Sequence, residues 1–435
     1  MDARRLRARI VPTIAVLCVA VLVPTARPVA AVEPPGDVVV QWNAAAVGAS
    51  LAAGQGPTVG VLQLSIVHGA MYDAVIGIEG GYEPYIGVPA AADANDSSVA
   101  AAAKAARDVL ASLYPSQVGT FDTLYTSTTS GIPEPAKSGG AEVGAQAATA
   151  MLALRANDGR FSAFTVVQGD EAGEWRSTGT NPITGLPQVE AAPWVGNVTP
   201  FLVPSAARLR SQGPNALTSD EYTADFIEVK EIGSLTSTTR TADQTDAAIF
   251  WQANGAGLWN AIFRQLATGQ DLDIVEASRL FVMTNMAGAD GAIGCWNDKY
   301  YWNFWRPETA IRLAGTDDNP ATVADPTWLP LLAGVSPPHL SSPPFPEHPS
   351  GHSCVSTAIG LTLRNFFGTD WMAFSTFSSL SGTTREFTRF SQAVKEILNA
   401  RVWGGIHFRA ADEQGATIGR KVARYARLHY FEPVE

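Results

Sequence analysis

The chain has 435 residues, enough for a large core in one or two packed units. Asp and Glu number 41 against 30 Lys and Arg, a formal net charge of −11. That balance argues against a nucleic acid or an anionic membrane as partner, because either needs a basic face. Three Cys are too few to be the main support of the fold.

The N-terminus reads as a targeting segment. Arg4, Arg5, Arg7 and Arg9 precede an apolar stretch over 10–23, and Val29, Ala30 and Ala31 offer a small-residue cleavage site. A signal peptide over 1–31 and secretion to the extracellular space are therefore expected. Leu17 ahead of Cys18 is too large for a lipoprotein cleavage site, so no membrane anchor is expected. The segment holds five Arg and one Asp, so its removal takes the net charge from −11 to −15. Beyond it, no uninterrupted apolar run is long enough to span a bilayer. Residues 57–78 come nearest, but Gln63, His68 and Asp73 interrupt them, which marks a core helix.

The rest reads as helical. Apolar residues at three- and four-residue spacing, or Ala-rich runs, predict helices over 37–52, 57–78, 97–114, 134–157, 241–268, 272–288, 296–312, 350–366, 384–403 and 408–428. Alternating strand patterns are scarce. Residues 158–217 are rich in Gly, Pro, Ser and Thr without periodicity, and so long a loop is disordered or wraps over a site. The expected organisation is an N-terminal helical region, 32–235, carrying that loop, and a C-terminal helical bundle, 236–435. The predicted fold class is all-α, two packed helical bundles with the functional site in the second.

Three stretches place charge where the pattern is apolar. In KYYWNFWRP, Lys299 and Arg306 are seven residues apart, two helical turns, and are predicted on one face with Trp296, Tyr300 and Asn303. Two like charges in a partly dry place repel unless an anion sits between them; the alternative is a surface pair capped by cation–π contacts. Nine Pro stiffen 313–349, which ends in PPFPEHPSGHSC. Ser350, Gly351 and His352 are ordinary material for a helix N-cap, and equally a helix N-terminus able to grip an oxyanion. In FTRFSQAVKEILNARVWGGIHF, Phe387, Phe390, Val394, Ile397 and Arg401 fall on one helical stripe, so Arg401 points inward. Gly404 and Gly405 break that helix, and His407 opens the next. His68 and His429 are assigned no role. Cys295 and Cys354 flank these motifs, either as a disulfide or as two buried thiols. Three cations, a hydroxyl, a backbone N–H and two imidazoles form a set suited to a tetrahedral oxyanion.

Lys-x6-Arg-Pro, Pro-Ser-Gly-His and Arg-x5-His, in that order, resemble the superfamily of vanadium-dependent haloperoxidases and type 2 phosphatidic acid phosphatases. The motifs cover 296–412. By that resemblance Lys299, Arg306, Ser350, Gly351 and Arg401 would hold the oxygens of vanadate or phosphate. His407 would be the ligand to vanadium, or the nucleophile toward phosphorus, and His352 the acid–base residue. Trp296 and Phe345 resemble aromatic positions of the haloperoxidase pocket. The sequence departs from the pattern at Ala400, where the family usually has Ser. It departs again at Asp412, one place beyond the usual Asp after the axial His, so a backbone carbonyl is an alternative partner for His407. The resemblance implies a secreted enzyme that oxidises a halide with hydrogen peroxide at vanadate, delivering halogen to a small organic acceptor. Its alternative is a secreted acid phosphatase working through a phosphohistidine.

Overall fold

The computed structural model describes residues 36–180, 184–335 and 341–434; the signal-peptide expectation for 1–31 lies outside them. Five helices come first: α1 (Asp37–Ala52), α2 (Pro57–Glu79), α3 (Ser98–Leu113), α4 (Val118–Thr129) and α5 (Ala136–Leu154). Ser97 starts α3 by accepting from the Ala100 N–H at 3.2 Å. A Cβ at Gly140 or Gly144 of α5 would lie 2.2–2.3 Å from α3 carbonyls, so these glycines let the two helices meet backbone to backbone. By length and composition α2 could cross a membrane, yet 94% of its apolar window is buried, and it is the central core helix expected.

Residues 158–217 run without a long helix to α6 (Asp220–Ile232), α7 (Ala242–Phe250) and α8 (Gly255–Gly269). The helix predicted over 241–268 is thus two, broken at Trp251–Asn254, where Asn254 caps α8 through the Gly257 N–H. The helices α4 and α6 escaped the periodicity analysis. Then α9 (Ile274–Trp302) spans 29 residues, about 43 Å. It begins at the Asp273 cap and ends at Asn303, whose φ of 46° is left-handed. This corrects the predicted helix over 296–312. Arg306 lies outside α9 and is the residue before α10 (Pro307–Arg312), so it shares no helical face with Lys299.

The C-terminal elements are α11 (Gly351–Phe367), strands β1 (Trp371–Ser378) and β2 (Thr383–Arg389), α12 (Phe390–Trp403) and α13 (Arg409–His429). The strands form an antiparallel hairpin, the only sheet among the described residues. Residues 384–389, predicted helical, are therefore strand. Phe387 still faces the core, because it pairs with Phe374 across the hairpin, ring centroids 5.4 Å apart. His407 sits in the turn before α13 rather than on its face, after Gly405 at φ 76°. The fold is otherwise helical. α9 packs against α2 of the first helical group and against α11 and α13 of the second, so it joins the two. One hydrophobic core runs from Val38 to Phe431, with a smaller cluster around Tyr222, Trp305 and Phe408.

Candidate oxyanion site

The site gathers where α9, the Pro-rich stretch, α11 and the α12–α13 turn meet. Lys299, the last basic residue of α9, is fully buried, and its ammonium donates to the carbonyls of Pro346 (3.1 Å), Glu347 (2.8 Å) and Pro349. All three N–H donors of the lysine are thus engaged by the stretch that delivers α11. Arg306 reaches the same stretch: its Nε donates to the Phe345 carbonyl at 3.0 Å, and Nη1 to the Ile406 carbonyl at 2.9 Å. Carbonyls of the Pro-rich segment, not a common helix face, bring the two cations together. Phe345 lies against both and Trp296 against Lys299, with the two ring centroids 5.3 Å apart.

Ser350 is the N-cap residue of α11 but caps no N–H with its side chain. Its hydroxyl instead lies 3.2 Å from Ser353 Oγ. The first-turn N–H groups, Gly351 among them, are left without a side-chain cap, and a helix N-terminus in that condition favours an anion. A Cβ at Gly351 would lie 2.9 Å from the Trp296 ring, so only glycine lets the wall approach the helix end this closely. Ser353 donates to Asp412 Oδ1 at 2.7 Å. The displaced aspartate therefore secures the serine pair and makes no bond to His407.

Glu347 takes that role. Its Oε1 accepts from the Phe408 N–H at 2.9 Å and lies 2.9 Å from His407 Nδ1. With the proton on Nδ1, Nε2 keeps its lone pair and faces Arg306 Nη1 at 3.3 Å. Glu347 was visible in PPFPEHPSGHSC, an acid among prolines, but nothing in spacing alone tied it to a histidine sixty residues on. Arg401 enters from α12, its Nη1 on the Trp251 carbonyl (3.3 Å) and Nη2 on Gln252 Oε1 (3.0 Å). His352 faces that same Trp251 carbonyl from α11.

Electrostatics follow from burial. Lys299 is pushed down to about 8, and Arg306 and Arg401 to about 10, chiefly by desolvation. His407 and His352 are held well below the ordinary imidazole value by burial, then by the surrounding cations. Burial raises Glu347 to about 8 against the pull of Arg306 and Lys299, and Asp412 to about 7 against its serine bonds. Two buried guanidinium nitrogens, Arg306 Nη2 and Arg401 Nε, have no hydrogen-bond partner. Unused donors on dry cations are costly unless an acceptor comes to them, and a tetrahedral oxyanion fits that need. Cys295 and Cys354, both buried, are free thiols rather than a disulfide.

A cavity of about 60 Å³ opens beside Gly351 and His352. Its apolar far wall is formed by Pro57 and Val61 of α2 and by Ala256 and Trp259 of α8. The charged residues thus come from the C-terminal elements, while α2 of the N-terminal region helps to wall the cavity beside them. The long loop wraps over the site, pinned where the Trp175 N–H meets the Asn303 carbonyl (2.7 Å) and the Trp305 N–H meets that of Gly173 (2.9 Å).

Fold and site together define a helical protein built around a buried cluster of cations and imidazoles. Residues 279–435 match the VCPO second helical-bundle domain. Vanadium chloroperoxidase of Curvularia inaequalis is 25% identical over 201 residues, 40% of this chain and 32% of that protein, so the match spans about a third of the relative's length. The fold is similar to that of the first bacterial vanadium-dependent iodoperoxidase, with TM-score 0.75 and 24% identity over 92% of this chain and 98% of that one. It is also similar to a holo-type bacterial vanadium-dependent chloroperoxidase, with TM-score 0.66 and 16% identity over 86% and 92%. The C-terminal part of the chain thus matches the VCPO second helical-bundle domain, and the fold as a whole is similar to those of the two bacterial peroxidases.

Proposed function

We propose that the chain is an exported haloperoxidase whose buried site holds vanadate and which oxidises a halide with hydrogen peroxide, passing halogen to a small organic acceptor. The observation that carries this reading is the pair of unpartnered guanidinium nitrogens beside an imidazole whose tautomer Glu347 fixes. Vanadate, when bound, supplies a Lewis acid that activates peroxide toward halide.

The chain's own residues divide the remaining tasks. His407, oriented by Glu347, offers the Nε2 lone pair to vanadium. Arg306, Arg401, Ser350 and the Gly351 N–H orient and neutralise the oxyanion oxygens, while Lys299 adds charge and clasps the Pro-rich stretch. His352, on the cavity side, holds and returns a proton. Burial, and then the neighbouring cations, keep it neutral, and a bound anion would cancel part of that field and raise its proton affinity. Trp296 and Phe345 exclude water beside the cations.

The same residues would serve a phosphohistidine phosphatase, so the test must separate the two. Vanadium content and bromide-dependent halogenation, measured on one purified sample, do so. The proposal expects one vanadium per chain and halogenation that requires peroxide. Phosphate-ester hydrolysis with no halogenation at saturating vanadate would overturn it.

A further inference from the structure

Glu190 belongs to the long loop, and neither the motifs nor the proposed chemistry uses it. Its backbone N–H donates to the Pro344 carbonyl at 3.0 Å, next to Phe345. Its Oε2 accepts from the Trp296 indole N–H at 2.6 Å. One loop residue thus grips both strands of the aromatic wall. Because the Trp296 ring lies against Gly351, its orientation decides the room above the α11 N-terminus. The charged and titratable groups acting on Glu190 are Lys299 and Arg306, with the Tyr300 hydroxyl beside it. Desolvation raises its carboxyl to about 7, against the pull of the Trp296 bond and the two cations.

We infer that Glu190 is a positioning residue through which the loop controls oxyanion entry: it fixes the Trp296 ring, and its negative charge competes with a tetrahedral oxyanion for Lys299 and Arg306. The competition disappears when the carboxyl is protonated. This rests on the reading of the site as an oxyanion site. The sign is definite. A neutral Glu190 at lower pH admits the anion, and an ionised one at higher pH opposes it.

The experiment is equilibrium dialysis of the full chain with orthovanadate, repeated with inorganic phosphate, from about pH 5.5 to about pH 8.5. Wild type is compared with Glu190→Gln, which removes the charge and keeps an oxygen for Trp296, and with Glu190→Ala, which removes both. Wild-type affinity is expected to fall relative to Glu190→Gln as pH rises, reaching about tenfold at the alkaline end, the equivalent of one pKa unit. Glu190→Ala should lose the same pH dependence yet bind more weakly than Glu190→Gln throughout. Superimposable profiles for wild type and Glu190→Gln would overturn the inference while leaving the oxyanion site standing. Binding of neither anion by wild type, or undiminished binding by Arg401→Met, would overturn the site reading and the inference with it. Should Glu190→Gln not fold, the thermal shift of wild type by vanadate decides the matter: a shift that shrinks above about pH 7 supports the inference, and one that grows overturns it.

Discussion

Two of the buried polar clusters in this molecule meet α9 at different heights, one at Asn285 and the other at Lys299. In the first, His68 of α2 stacks on Phe281 at 5.0 Å and pairs with Asn43 at 2.8 Å. Asn43 donates to Asn260, Asn260 to Asn285, and Arg264 to Asn43. In the second, His407 sits among Arg306, Lys299 and Arg401. Both histidines are buried and pushed down, His68 to about 3. Burial alone therefore does not separate a structural histidine from a functional one. The neighbours do. Around His68 the partners are amides, with a single cation, Arg264, reaching Asn43 from outside. Around His407 stand Glu347 and three cations, with two guanidinium nitrogens left unbonded. The first cluster carries one cation and the second three, so the second is where a negative partner gains most.

The largest effects should follow from exchanging the two histidines' fates. His407→Ala should leave the fold intact and abolish tight vanadate retention. His68→Ala should leave retention by the folded protein unchanged and cost roughly 2–4 kcal/mol of stability, because it opens a cavity beside a buried amide. Dialysis and denaturant melts on both variants check this together. Next comes His352→Ala, which should keep vanadate yet lose about 10²–10⁴ in halogenation rate for want of a proton carrier, read at saturating vanadate.

Glu347→Ala should weaken vanadate binding by about 10–100-fold, since the Nδ1 partner that fixes the imidazole is gone. The corresponding change in the first cluster, Asn43→Ala, should not alter binding. Arg401→Met sharpens the contrast further. Removing an unneutralised buried cation should be neutral or stabilising for the empty protein, by about 1–3 kcal/mol, while vanadate binding is lost. A melt that drops sharply would mean the cation is already well paired.

The smallest effect concerns pH. His68 and His348 are held to about 3 when folded, against 6.5 ordinarily, so the unfolded chain binds more protons between those values. Their contribution is present above pH 6.5 and lost as pH falls toward 3. Glu347 and Asp412, raised when folded to about 8 and about 7, act oppositely and lose stability as pH rises through that range. Acid melts followed by circular dichroism should show His68→Gln unfolding less steeply on the acid side.

Much of this site was legible because its chemistry is local: Pro-Ser-Gly-His and Arg-x5-His keep their meaning whatever the chain does between them. The helical character was legible for the same reason. The route by which Lys299 and Arg306 converge was not. Two turns of helix predicted one face, but Asn303 ends α9, and carbonyls of Phe345, Pro346 and Glu347 gather both side chains instead. The hairpin was hidden by coincidence, since Phe387, Phe390 and Val394 fit helical spacing; the β-branched pair Thr383-Thr384 and the alternation in β1 carried the strand signal. Glu347 and Glu190 act through contacts across 60 and 106 residues, and no pattern in one sequence encodes such a distance.

The central claim is that unsatisfied buried cations and one oriented imidazole form an oxyanion site. Equilibrium dialysis of orthovanadate against wild type, His407→Ala and His68→Ala at one pH tests it most directly. Wild type and folded His68→Ala should each retain one vanadate per chain, and His407→Ala none at the same free concentration. Equal retention by His407→Ala and wild type, or none by either, would contradict it.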